Sequence, residues 1–259
     1  MQIIVNKLLT NYQVSGRGPN LLILHGWGSN QDVFEKLALS LRAKYQVISL
    51  DLPGMGKSEP PVEPWNLDDY KKFITSFLIK LKVKKLEVII GHSNGGALAI
   101  KMTTDQDLDA KLKTKKLILM GSAGIRDKEK LKKNAFKAIA KSGKLVVSFL
   151  PSRAGIKLKK MLYQSAGSEA LDNPNLEQTF RLVVSEDISE LSSKINIPTL
   201  LIYGEDDEAT PPQYGQILHQ QIKESELEIV PDAGHYVFLD QPGRTLNLIE
   251  RFLKWSRNS

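Results

Sequence analysis

The 259-residue chain contains no cysteine, which excludes disulfide bridges, thiolate zinc sites and a cysteine nucleophile. It has only four histidines, His25, His92, His219 and His235, so chemistry that needs an imidazole base has few candidates. No apolar run approaches the roughly 18–20 residues that cross a bilayer, and no membrane span is expected. Aromatic residues make up 7% and are not interleaved with the basic ones as base-stacking surfaces require, so nucleic acid is not an expected partner. The segment Met1-Gln2-Ile3-Ile4-Val5-Asn6-Lys7 lacks the charged start and long apolar core of a signal peptide, and a cytoplasmic location is expected.

What remains is the composition of an ordinary globular protein, 41% apolar and 25% charged. A chain of this length buries roughly 70–75% of its unfolded surface, enough for one domain with an insertion. After an edge hairpin running to about Val14, apolar strand runs alternate with amphipathic helices from Asn20 to Gly121. The alternation resumes at Ile197 and ends in a helix over Leu246–Trp255. Such alternation predicts a doubly wound, mostly parallel sheet covered on both faces, with loops gathered at the carboxyl ends of the strands.

One corner stands out. Leu86-Glu87-Val88-Ile89-Ile90 reads as a buried strand and Ala97–Met102 as a helix, and between them lies Gly91-His92-Ser93-Asn94-Gly95-Gly96. A serine on a tight strand-to-helix corner is the G-x-S-x-G elbow, which lifts the hydroxyl clear of the sheet and aims helix N–H groups at the space beside it. A serine nucleophile needs a base, and the base needs an acid to orient it. His235 follows the strand Leu227–Val230 in the loop Pro231-Asp232-Ala233-Gly234-His235, where a scaffold presents functional groups. His219 lies in what reads as a surface helix. The acid belongs between serine and histidine, and the strand Thr199–Tyr203 ends in Gly204-Glu205-Asp206-Asp207-Glu208-Ala209-Thr210-Pro211. Four consecutive acids leave the choice open.

This loop resembles the G-x-x-D-x-x-x-P acid loop of the α/β-hydrolase superfamily, and matching Gly204 and Pro211 to it places the acid on Asp207, with Asp206 the alternative. Some members carry the acid one strand earlier, but here that strand ends in Gly121-Ser122-Ala123, without a carboxylate. His25-Gly26-Trp27-Gly28 resembles the family's H-G-x-x oxyanion turn, which implies the backbone amides of Trp27 and Asn94 as oxyanion donors. Trp27 reads as an apolar wall and, with His25 and His92, as part of the substrate-binding surface; His25 reads as a structural residue that shapes the turn rather than as a proton carrier. Asp51-Leu52-Pro53-Gly54-Met55-Gly56-Lys57-Ser58 ends like a phosphate loop, but Asp51 stands where that loop needs glycine, and Pro53 removes a donor. The segment instead resembles the family's D-x-P-G-x-G-x-S loop.

The resemblance implies an α/β-hydrolase fold: an eight-stranded, mostly parallel sheet with helices on both faces and a helical cap. The expected boundaries are core over 1–122, cap over 123–190 and core over 191–259. It implies cleavage of carboxylic esters through an acyl-enzyme by Ser93, Asp207 and His235, with no cofactor and no metal. Lactones, thioesters or carbon–carbon bonds are alternatives with the same triad, and a ligand receptor on this fold is a different class. The elbow serine argues against the relatives that use aspartate there. His25-Gly26-Trp27-Gly28 is similar to the turn of pimeloyl-acyl-carrier-protein methyl ester esterases, whose elbow usually carries tryptophan and leucine in place of His92 and Asn94. Residues 124–164 hold twelve Lys or Arg against Asp127 and Glu129, a local net of +10 in a chain of +7. That stretch reads as a solvated face or as a surface for an acidic carrier protein or anionic substrate. The apolar patch Leu145–Leu150 reads as acyl-pocket lining or as packing of cap onto core.

Overall fold

The computed structural model describes residues 1–126 and 174–254. An N-terminal hairpin, β1 (Gln2–Val5) and β2 (Leu8–Ser15), leads into β3 (Asn20–Leu24), α1 (Glu35–Leu41), β4 (Gln46–Leu50), α2 (Leu67–Lys80) and β5 (Val88–His92). Then come α3 (Asn94–Thr104), α4 (Gln106–Leu112), β6 (Lys116–Met120), α5 (Pro174–Ser185) and α6 (Ser189–Ser192). The chain closes through β7 (Thr199–Gly204), α7 (Pro212–Gln221), β8 (Ser225–Val230), α8 (Val237–Asp240) and α9 (Pro242–Lys254).

The strands form one eight-stranded sheet in the order β1-β2-β4-β3-β5-β6-β7-β8. Only the pairs β1–β2 and β2–β4 are antiparallel, so strands β3 to β8 end on the same side. Side chains alternate across a strand, and the sequence supplies apolar residues at both parities. Leu22 and Leu24 pack with Phe73 and Phe77 of α2 and Leu98 of α3, whereas Leu21 and Ile23 pack with Leu41 of α1 and Ile249 and Phe252 of α9. Both sheet faces are therefore covered, as parallel sheets require.

Helix α2 begins on a capping box, in which Asn66 accepts from the Asp68 and Asp69 amides while Asp69 Oδ2 accepts from the Asn66 amide. The loop after β4 is gathered around buried Asp51: Oδ1 accepts from the Gln31 amide at 2.8 Å, and Oδ2 accepts from Asn11 Nδ2 at 2.8 Å and the Lys57 amide at 2.9 Å. That carboxylate turns the loop on itself and takes up the Lys57 amide, a donor that a phosphate cradle would use.

Of the span expected to be the cap, the described residues are 123–126 and 174–190. Most of the basic stretch, the patch Leu145–Leu150 and the end of the closing helix at Trp255 lie outside the described residues. The described part is tied firmly to the core. Within that span the Ile188 amide donates to the Gly124 carbonyl at 2.9 Å; Val183 and Ile188 join the α2–α3 core, and Glu186 pairs with Lys101 of α3, which also pairs with Asp68 of α2 at 2.8 Å.

Candidate active site

The corner after β5 is as tight as the glycines suggest. A Cβ on Gly91 would sit 2.4 Å from the Gly95 carbonyl oxygen, and one on Gly95 would sit 2.2 Å from that of Leu24. Between them Ser93 has φ +53° and ψ −119°, a conformation that costs a non-glycine residue about 1–3 kcal/mol and clusters at functional sites. Neighbouring strand ends hold it there: the Ser93 amide donates to the Met120 carbonyl at 3.1 Å, and the Ala123 amide donates to the Ser93 carbonyl at 3.0 Å. Helix α3 starts at Asn94, so its free amides and the positive end of its dipole lie beside the serine.

The turn after β3 runs alongside. A Cβ on Gly26 would come within 3.0 Å of Ser93 Cβ and 3.5 Å of Ser93 Oγ, which places the Gly26–Trp27 backbone next to the hydroxyl. His25 sets this turn: Nδ1–H donates to the Gly26 carbonyl at 2.7 Å and Nε2 accepts from the Leu52 amide at 2.9 Å. Burial, partly offset by the Gly26 contact, holds its pKa below the ordinary value. His92 is also buried, and its Nε2–H donates to the His235 carbonyl at 2.9 Å. His25 and His92, which the sequence offers as part of the substrate-binding surface, are each only 1% exposed. Both act inward, on backbone. Trp27 is half-buried, its ring 5.4 Å from Phe180 and 6.5 Å from Tyr70 between centroids.

Across the site, the loops after β7 and β8 meet. Asp207 is 3% exposed, while Glu205, Asp206 and Glu208 face solvent. Asp207 Oδ1 accepts from the amides of Ala209 and Thr210, both at 2.9 Å, and Oδ2 accepts from His235 Nδ1–H at 2.8 Å. A buried carboxylate needs such donors to stay charged. With Nδ1 protonated, Nε2 of His235 is left as the acceptor.

The sequence reading missed Thr210. Its hydroxyl lies 2.8 Å from both Asp207 Oδ2 and the Gly121 carbonyl and 3.1 Å from His235 Nδ1. It clasps Asp207, His235 and the end of β6 together. A hydroxyl three residues after an acid is a common local partner for it, and that spacing was the available signal. The packing of the α5 helix was also not foreseen: Thr179 accepts from the Trp65 amide at 2.9 Å, and Leu176 fills the space over Gly54, lying across the loop beside the turn after β3. Among the described residues, no cluster of three or more His, Asp or Glu could hold a metal ion, and no helix is long and apolar enough to cross a membrane.

Residues 19–242 match the family described as the alpha/beta hydrolase fold. The chain belongs to the α/β-hydrolase family. Among its α/β-hydrolase relatives, it is 27% identical to the pimeloyl-acyl-carrier-protein methyl ester esterase of Nitrosospira multiformis, over 92% of this chain and 96% of that protein. Among solved structures it superposes on a bacterial membrane phospholipase A with a TM-score of 0.77 at 22% identity, covering 100% of this chain and 86% of that one. The enol-lactonase from Burkholderia xenovorans LB400 gives a TM-score of 0.76 at 16% identity, covering 98% and 100%. At these identities the structural likeness shows the fold of this α/β-hydrolase and nothing of its substrate.

Proposed function

We propose that this α/β-hydrolase cleaves carboxylic esters through an acyl-enzyme formed on Ser93. The observation that carries the reading is the buried Asp207 carboxylate holding His235 Nδ1 at 2.8 Å beside a serine at φ +53°. Ser93 Oγ attacks the ester carbonyl carbon and its proton passes to His235 Nε2. The Trp27 and Asn94 amides receive the oxyanion; among the described residues neither donates a hydrogen bond elsewhere. The alcohol leaves with the proton from His235. Water, deprotonated by His235, then attacks the acyl-enzyme and regenerates Ser93. Asp207 stays ionised throughout and fixes the tautomer. The Ser93 hydroxyl has no hydrogen bond among the described residues, and its approach to His235 tightens as substrate binds. The span 123–190 serves as the cap, with α5 forming its wall above Trp27.

Lactone, thioester or carbon–carbon cleavage would use the same triad. The basic stretch within 124–164 and the relative named for a carrier-protein ester favour a substrate presented by an acidic carrier. Salt would then weaken turnover of the carrier-bound ester far more than that of a small neutral ester. The deciding experiment is hydrolysis of p-nitrophenyl esters, acetate through laurate, by wild type and Ser93→Ala. Turnover that disappears in the variant supports the reading; turnover that survives it contradicts the elbow assignment.

A further inference from the structure

One buried ionisable ring beside the nucleophile takes no part in the mechanism above. His92 is 1% exposed and is walled by Phe34, His235, Tyr236 and Phe238, with ring centroids 4.7 Å from His235 and 4.9 Å from Tyr236. Its Nδ1 is buried without a partner among the described residues, an expensive arrangement that a phenylalanine of similar shape would avoid. What phenylalanine could not supply is the Nε2–H donated to the His235 carbonyl at 2.9 Å across 143 residues of sequence. This bond joins the residue adjacent to the nucleophile to the residue that carries the base.

We propose that His92 is a positioning residue, whose hydrogen bond to the His235 main chain sets the catalytic imidazole in register with Ser93. The inference rests on the proposed serine chemistry. Burial and the neighbouring His235 hold the His92 pKa well below the ordinary value, so the ring stays a neutral donor and adds no charge beside the imidazolium that forms on His235.

The test is the rate at which a small fluorophosphonate labels Ser93, because it requires no knowledge of the natural substrate. Serine oxygen bonds to phosphorus, fluoride leaves, and the serine proton passes to His235. The expected result for His92→Phe is labelling slowed about 10- to 100-fold, as misplacing a reacting group commonly does, with KM for p-nitrophenyl acetate within about twofold of wild type. His92→Gln, which offers an amide N–H at similar reach, should recover to within about threefold of wild type. If His92→Phe does not fold, His92→Met also lacks the donor and carries the same expectation. Labelling at the wild-type rate in the apolar variant, or equal slowing in the folded glutamine variant, would overturn the assignment. A wild type that does not label, with Ser93→Ala as the blank, would instead overturn the serine chemistry beneath it.

Discussion

Around the acid loop the polar atoms are engaged: both oxygens of Asp207, the Thr210 hydroxyl and Nδ1 of His235 all have partners within 2.8–3.1 Å. Around the elbow the opposite holds. His92 Nδ1 and Asn94 Nδ2 are buried without hydrogen-bond partners among the described residues, and the Trp27 and Asn94 amides donate to no described group. In the proposed reaction the contrast follows from what each side is asked to do. A base must already be oriented in the resting protein, so its supports are saturated. An oxyanion exists only during reaction, so the donors that receive it must be held ready and unpaired.

The sharpest way to break this comparison is to unbalance its saturated side. Asp207→Asn should lower kcat about 10⁴-fold by favouring the wrong imidazole tautomer, whereas Asp206→Asn should change it by less than about twofold. Steady-state kinetics on one p-nitrophenyl ester compares them, and the reverse ranking would move the acid to Asp206. Next in size is Thr210→Val. It should lower kcat about 5- to 20-fold and destabilise the fold by about 1–3 kcal/mol, because Asp207 Oδ2 and the Gly121 carbonyl lose a shared donor. Kinetics and urea unfolding measure the two effects separately.

The smallest effect concerns the unsaturated side and is read from stability against pH. His25 and His92 are held neutral by burial, with pKa values below the ordinary 6.5. The unfolded chain therefore takes up protons that the native one refuses as pH falls below about 6.5. Their contribution is complete above that pH and is lost below it, by up to about 1.4 kcal/mol per pH unit for each histidine. Replacing His92 by Phe should remove one such share, flattening the fall in unfolding free energy between about pH 6 and pH 5. An unchanged slope would mean that His92 takes up protons in the native protein as it does in the unfolded chain.

Much of this arrangement was legible in the residues themselves. The alternation of apolar strands and helices anticipated the doubly wound sheet, and glycines at 91 and 95 anticipated a corner that has no room for side chains. Among four adjacent acids the residues alone left the choice open; the resemblance to the family's acid loop pointed to Asp207, the one that is buried. Local patterns carry such information because an elbow or an acid loop is built from consecutive residues. The turn-shaping part of His25 was legible, but the contact of His92 was not, since its ring nitrogen reaches backbone at His235. Nothing in a histidine's own neighbourhood reports a contact made 143 positions away. The packing of α5 over Gly54 and Trp65 was hidden for the same reason.

The most direct test of the account is rapid-quench mass spectrometry of the wild-type protein mixed with p-nitrophenyl acetate. A transient acetyl adduct is expected on the peptide bearing Ser93, absent in Ser93→Ala, appearing with a burst of p-nitrophenolate. Product release with no adduct on Ser93, or an adduct on another residue that turns over equally fast in Ser93→Ala, would contradict it.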